Sequence, residues 1–188
     1  DRVGDNLFAN SIIALSAETG NKIWHFQTVH HDVWDRDLPA PPVLFDYSMN
    51  DSIIPSLAQV TKSGYIYLLN RITGKPLYKI IERPVPSKSN LEGEVLSKTQ
   101  PIPSFPDPFS RQSLTKNDIN SFVIERERDS LIKIFTSLLK DDIFSPPSEE
   151  GTLIFPGFDG GAEWGGPALD PINNKLFINS NEMPWILT

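Results

Sequence analysis

The sequence has no cysteine. That removes a disulfide framework, a thiolate metal site and a cysteine nucleophile, and it leaves the redox compartment open. It also lacks a basic excess: 17 Lys and Arg face 24 Asp and Glu, for a formal net charge of −7. Such a chain offers no basic stripe to replace counterions along nucleic-acid phosphates. An anionic membrane surface suits it no better. No run of about 18 apolar residues occurs, so no segment reads as a membrane-spanning helix. The opening residues, DRVGDNLFAN, lack the basic-then-apolar pattern of a signal peptide. Both ends read as cut: the chain opens just before a strand and stops at WILT inside an apolar stretch.

Proline is abundant, with 17 in 188 residues, about twice the usual share. Each proline removes a helix donor and restricts the residue before it, which disfavours a helical bundle. The expectation is short strands joined by structured loops. The length suffices for a sizeable core in one domain or two.

Residues 11–28, SIIALSAETGNKIWHFQT, read as a hairpin whose reversal needs the positive φ of Gly20. Residues 57–80 read as a three-stranded meander with turns at 62–64 and 72–74, and residues 167–180 as another hairpin turning at 171–174. The first two units repeat each other. ALSAETGNKIW at 14–24 lies over LLNRITGKPLY at 68–78, an offset of 54 residues. A several-stranded repeat of about this period is the signature of a β-propeller. In that reading the closing Trp24 or Tyr78 packs between blades. The plain alternative is two unrelated hairpins sharing a common turn.

Residues 82–113 are proline-rich and without periodicity, and read as a long ordered excursion, not a strand. Thr115 with Asp118 makes a capping box for a short helix near 115–120. Leu131, Ile134, Phe135, Leu138 and Leu139 recur at helical spacing, giving a longer helix near 127–140 with an apolar packing face. SEEGTLIFPG returns to strand near 151–155. The chain thus divides into propeller strands over 1–81, an insertion over 82–150 and further propeller strands over 151–188.

Chemistry concentrates in HHDVWDRDLPAPPVL at 30–44, which holds His30, His31, Asp32, Trp34, Asp35, Arg36 and Asp37. A loop directly after a strand is held rigid by its scaffold. Its carboxylates suit a hard cation such as calcium; its His and Asp match no standard zinc spacing. A charged surface loop, with Asp residues capping turns, has the same composition. GFDGGAEWGGPALDP at 157–171 surrounds Glu163-Trp164 with glycines. These permit close approach of backbone to a flat ligand, or tight packing between blades. The segment is not a phosphate loop, since the Gly-Lys-Ser/Thr ending is missing. Lys62, at the first turn of the meander, has nothing local to single it out.

Taken together, GDNLFANSIIALSAETGNKIWHFQTVHHDVWDRDLPAPPVL, VTKSGYIYLLNRITGKPL, IFSPPSEEGTLIFPGFDGGAEWGGPALDP and INSNEMPW resemble the membrane-bound glucose dehydrogenase branch of the pyrroloquinoline quinone (PQQ) dependent dehydrogenases. These stretches cover well over half the chain, in the family's order. The hairpin ALSAETGNKIW resembles the family's tryptophan-docking repeat, departing at Ser16, where Asp is usual, and at Asn21, where Lys is common.

The resemblance implies a mainly β chain, part of an eight-bladed β-propeller that holds PQQ near its axis beside a divalent cation, Ca2+ or Mg2+. It places the family's catalytic carboxylate, close to the metal, on Asp35. The quinone-contacting lysine falls on Lys62, 27 residues later. An asparagine near the quinone falls on Asn179. Glu163-Trp164 falls where several relatives have Asn-Trp beside the cofactor, which makes Trp164 a cofactor-binding candidate. His30, His31 and Asp32 share the loop as supports. Further metal ligands and a closing blade are expected outside these residues. SFVIERERDSLIKIF departs most from the family pattern. The implied activity is oxidation of a sugar or polyol on the periplasmic side, with a quinone or cytochrome as electron acceptor and membrane contact only through parts outside this chain. The isolated chain is expected to be inactive. The rival is a cofactor-free propeller scaffold for protein interactions, which has no use for the loop aspartate and the turn lysine together.

Overall fold

The computed structural model describes residues 2–188. Strands β1 (Ser11–Leu15) and β2 (Lys22–Gln27) pair antiparallel, with Ile12 opposite Phe26. Their β-branched and aromatic residues suit a pleated, half-buried surface. The expected hairpin is therefore present. The Gly20 N–H donates to Ser16 O at 2.8 Å with φ +72°, and the Ser16 hydroxyl accepts from Thr19 N–H.

The second turn copies the first. Gly74 N–H donates to Asn70 O at 2.8 Å with φ +70°, and the Asn70 side chain accepts from Ile72 and Thr73 N–H. Ser16 thus does for the first turn what Asn70 does for the second. Trp24, at the end of the first repeat, docks on the second turn: its Nε1 donates to Arg71 O at 3.1 Å. Tyr78, the aromatic ending the second repeat, lies against Phe105, with ring centroids 4.5 Å apart, and its hydroxyl meets that of Tyr47.

Strands β3 (Val43–Met49), β4 (Ser52–Val60) and β5 (Ile66–Asn70) form one sheet in the order β3-β4-β5. The β3–β4 reversal uses Asn50 and Asp51, both at positive φ, as a two-residue hairpin turn needs. The expected third strand of the meander shrinks to a bridge between Leu69 and Pro76, extended by Leu77 N–H to Leu68 O. Pro76 takes the unbonded position of that bridge, flanked by Asn70 N–H to Lys75 O and Leu77 N–H to Leu68 O.

The excursion expected to lack strands contains two. β6 (Ile80–Pro84) and β7 (Thr99–Pro103) pair antiparallel. Three prolines are tolerated because of register. Val85 N–H donates to Lys98 O and Ser104 N–H to Lys79 O at the two ends of the ribbon. Counting in twos from these, Pro84, Pro101 and Pro103 all occupy the alternate positions, where the N–H faces away from the partner strand.

Thr115 caps a 3₁₀ turn, Lys116–Asp118, through the expected capping box, and helix α1 spans Glu125–Ser137. The packing face expected of the helix is only half used. Phe135 lies against the cluster of Leu138, Leu153 and Phe155, whereas Leu131 and Ile134 are exposed. Among the described residues no helix is long and apolar enough to cross a membrane.

Strand β8 (Thr152–Ile154) is buried throughout and pairs antiparallel with β11 (Trp185–Leu187). Between them in sequence, β9 (Pro167–Asp170) and β10 (Lys175–Ile178) form the expected last hairpin, with Asp170 accepting from Ile172 and Asn173 N–H. The described strands thus make five small antiparallel sheets. The main core joins Val29, Trp34, Leu57, Tyr67, Leu69, Phe144 and Ile154. A second cluster joins Ala40, Ala58, Val60, Ile66 and Ala162. The loop over 30–40 sits on both, which fixes its backbone.

Candidate functional site

The loop after β2 is built around Asp32. One of its carboxylate oxygens accepts from Trp34 N–H at 2.9 Å; the other accepts from Arg36 N–H at 2.7 Å and Asn10 Nδ2 at 2.8 Å. Aspartate favours such local turns because its short side chain reaches its own backbone. Trp34 is fully buried, donates to Ser145 O at 2.6 Å and packs edge-on to Phe144. Arg36 is also fully buried. Its guanidinium donates to the carbonyls of Lys62, Pro156 and Ile143, and among the described residues it has no carboxylate partner. Burial lowers its pKa to about 10, against the pull of Asp32 and Asp35, so it stays charged near neutrality. With 34 and 36 turned inward, Asp35 and Asp37 turn outward. Asp35 has φ +60°, a left-handed conformation that aspartate tolerates better than most residues.

Lys62 sits on the turn that leads into β5. Thr61 closes that turn, its hydroxyl accepting from Tyr65 N–H and donating to Tyr65 O. The glycines at 160 and 161 lie against it: Gly161 N–H donates to Lys62 O at 2.7 Å. A Cβ on Gly160 would stand 2.9 Å from Lys62 Cα, and one on Gly161 the same distance from Gly64 Cα. Of the two uses open to these glycines, close packing of backbone on backbone is the one observed.

The Lys62 side chain is only 9 % exposed, and its Nζ faces three carboxylates: Asp37 at 2.6 Å, Asp35 at 3.0 Å and Glu163 at 3.7 Å. Burial acts to lower the lysine pKa. Hydrogen bonds to Asp37 and then Asp35 outweigh it, and the ammonium is held above its ordinary range. Glu163 is pushed up, first by burial, with Lys62 opposing and Asp37 adding to the rise.

The structure therefore brings Asp35 and Lys62 together, as two residues of one cluster. Trp164 is 80 % exposed beside Glu163, with no ring stacked on it among the described residues. Asn179 is exposed at the end of β10 and forms no hydrogen bond to the cluster. The two histidines are tied down. His30 bonds Gln27 and Glu82, and His31, buried, bonds Gly4 O and Glu94. Three contributors went unassigned in the sequence reading: Asp37, Arg36 and Glu163. No local pattern marks them, because the inward turn of Arg36 is set by distant carbonyls and the Lys62 contact by packing.

The donor set has a definite chemistry. One ammonium among three carboxylates leaves an excess of negative charge, which suits a cation. The ammonium suits anionic oxygens on a second group. Among the described residues, however, no three His, Asp or Glu side chains are arranged to hold a metal ion. A hard cation takes about six to eight oxygens, more than the carboxylates of Asp35, Asp37 and Glu163 supply.

A family model for the PQQ glucose/ethanol/alcohol dehydrogenase β-propeller domain matches residues 1–188. The chain is 39% identical over 188 residues to the quinoprotein glucose dehydrogenase of Gluconobacter oxydans (strain 621H), covering 99% of this chain and 23% of that protein. It is 38% identical over 184 residues to the quinate/shikimate dehydrogenase (quinone) of Acinetobacter baylyi, covering 97% of this chain and 22% of that protein. The glycerol dehydrogenase large subunit of Gluconobacter oxydans is 33% identical over 182 residues, with 96% and 24% covered. Among solved structures, the quinohemoprotein alcohol dehydrogenase from Comamonas testosteroni superposes with a TM-score of 0.57 at 21% identity, over 96% of this chain and 21% of that one. That likeness shows the fold. The chain spans about a quarter or less of the length of these relatives.

Proposed function

The chain belongs to the PQQ-dependent glucose/ethanol/alcohol dehydrogenase β-propeller family, and on that premise we propose that it is the segment of a periplasmic quinoprotein dehydrogenase that carries the catalytic base. The observation that carries this reading is the contact of Asp35 with Lys62 at 3.0 Å, made by an exposed carboxylate and a buried ammonium. A cofactor-free scaffold gives no account of that pair.

The substrate is a sugar, a polyol or a cyclic polyol of the quinate kind. Its oxidation removes one proton from a hydroxyl and one hydride from the adjacent carbon. PQQ, when bound, supplies the acceptor for the hydride. Asp35 takes the proton: its Oδ2 bonds Lys62, while its Oδ1 has no hydrogen-bond partner among the described residues and is open to a hydroxyl. With the cofactor bound, Lys62 would offer its donors to anionic oxygens on it, and Asp35 would be one ligand of a cation such as Ca2+ or Mg2+. Arg36 fixes the two relative to each other, because it donates from the Asp35 loop to the Lys62 carbonyl. A membrane quinone or a cytochrome takes the electrons onward. The described residues alone would leave a hard cation short of oxygens, so turnover is expected only from the full-length protein.

The test uses the full-length protein. Dye-coupled oxidation of aldoses, polyols and quinate is followed with PQQ and Ca2+, each omitted in turn. Turnover that needs both additions supports the reading. No quinone uptake, and no oxidation of any of these substrates, sinks it in favour of the scaffold.

A further inference from the structure

Lys62 has three carboxylates within reach, and they are not equivalent. Asp37 Oδ1 is nearest at 2.6 Å, Asp35 Oδ2 is 3.0 Å away, and Glu163 Oε1 is 3.7 Å away. Asp35 accepts a hydrogen bond from Nζ, Asp37 makes the shorter ion pair, and neither makes another side-chain hydrogen bond among the described residues. Both come from one loop whose backbone is fixed by Asp32, Trp34 and Arg36. The lysine backbone is fixed independently, by Gly161 and by the Thr61 turn. Two fixed supports therefore present one buried ammonium to two carboxylates, and the shorter contact goes to the residue that the proposed chemistry does not use.

We propose that Asp37 is a positioning residue: it, and not Asp35, is the standing counter-ion that seats Lys62. This rests on the dehydrogenase reading for its catalytic consequence. A proton acceptor locked in an ion pair is a poor one. By holding Lys62, Asp37 lets Asp35 exchange the ammonium for a substrate hydroxyl without leaving a buried charge unpaired. Glu163, at 3.7 Å, is the most distant of the three carboxylates. Removal of Asp37 hands Lys62 to Asp35 and ties up the base.

Two measurements on the full-length protein test this. In the first, cofactor and metal are left out, and acetylation of Lys62 by acetic anhydride is timed by mass spectrometry. Loss of the main partner frees the amine, so Asp37→Asn raises the rate about fivefold, Asp35→Asn less than about twofold, and Asp37→Glu stays near wild type. Equal rates in the two Asn variants, or the reverse order, overturn the proposal. In the second, with PQQ and Ca2+ present, Asp37→Asn lowers kcat about tenfold with KM within about threefold, and Asp37→Glu recovers most of it. An unchanged kcat overturns the catalytic role, and so does equal loss in the Asn and Glu variants, which points to side-chain fit and not charge. The labelling needs no quinone. A wild type that takes up no quinone but shows the predicted labelling order therefore sinks the dehydrogenase reading alone, and normal turnover with a reversed order sinks the seating alone.

Discussion

Trp24 lies on Gly74: a Cβ built on that glycine would stand 2.6 Å from Trp24 Cδ2 and 2.7 Å from Cε3. The contact joins the first repeat to the second and is locked by the indole N–H on Arg71 O. It predicts an unequal response from two glycines of the same conformation. Gly20 has φ +72° with nothing within 4 Å of its Cβ position, whereas Gly74 has φ +70° and the indole in the way. Gly20→Ala is expected to cost only the left-handed strain, about 1 kcal/mol. Gly74→Ala adds overpacking of about 1–3 kcal/mol. Urea unfolding of the two variants measures the difference, and equal midpoints contradict the docking.

Arg36 makes a second case. It is fully buried and satisfies three carbonyls on separate segments. Arg36→Met leaves the Pro156 and Ile143 carbonyls without that donor, while Lys62 O keeps Gly161 N–H, and is expected to cost about 3 kcal/mol. Arg36→Lys rescues little, because one compact ammonium does not span what a planar guanidinium spans. Denaturant midpoints decide it, and a wild-type midpoint in Arg36→Met contradicts the bracing role.

A third prediction concerns acid. Asp118 is held below its ordinary 3.8 by the Thr115 backbone and hydroxyl, and then by Arg111; Glu182 is held below 4.5 by the Arg111 backbone and then its side chain. Both carboxyls bind protons more weakly folded than unfolded. Their contribution is therefore complete above those ordinary values and lost as pH falls through the lower, folded ones. Arg111→Ala is expected to destabilise the protein near neutrality, with the difference from wild type shrinking below about pH 4. Thermal melts across that range check it, and a gap that stays constant into acid contradicts the assignment.

Much of this was legible in the chain, for a local reason. Thr-Gly turns, the Thr115–Asp118 capping box and period-two strands are set by neighbours in sequence, and each appears where its residues stand. The ribbon of β6 and β7 was not legible, because proline content hides whether each proline falls on a bonded or an unbonded position. That depends on the partner strand. The β3–β4 turn was missed because Asn50-Asp51 lacks the glycine that flags such a reversal. For the site, the resemblance carried Asp35 and Lys62, while Asp37, Glu163 and Arg36 depended on long-range packing. Lys62 looked like a solvated turn lysine until Gly160 and Gly161 closed over its backbone.

The ribbon itself gives a fourth prediction. Pro101 faces Glu82 at an unbonded position, and Ile102 faces Ile81 at a bonded one. Pro101→Ala is expected to change stability by less than about 1 kcal/mol, whereas Ile102→Pro removes a ladder donor and costs about 3 kcal/mol. Denaturant midpoints measure both, and similar losses contradict the register.

The central claim is that Asp35 accepts the substrate proton while the cofactor is held by others. The direct measurement is single-turnover oxidation by full-length Asp35→Asn, reconstituted with PQQ and Ca2+ beside wild type, with quinone uptake titrated in parallel. The account predicts quinone affinity within about threefold of wild type and a turnover rate lower by about two orders of magnitude or more. Wild-type turnover in a variant that still binds the quinone would contradict it.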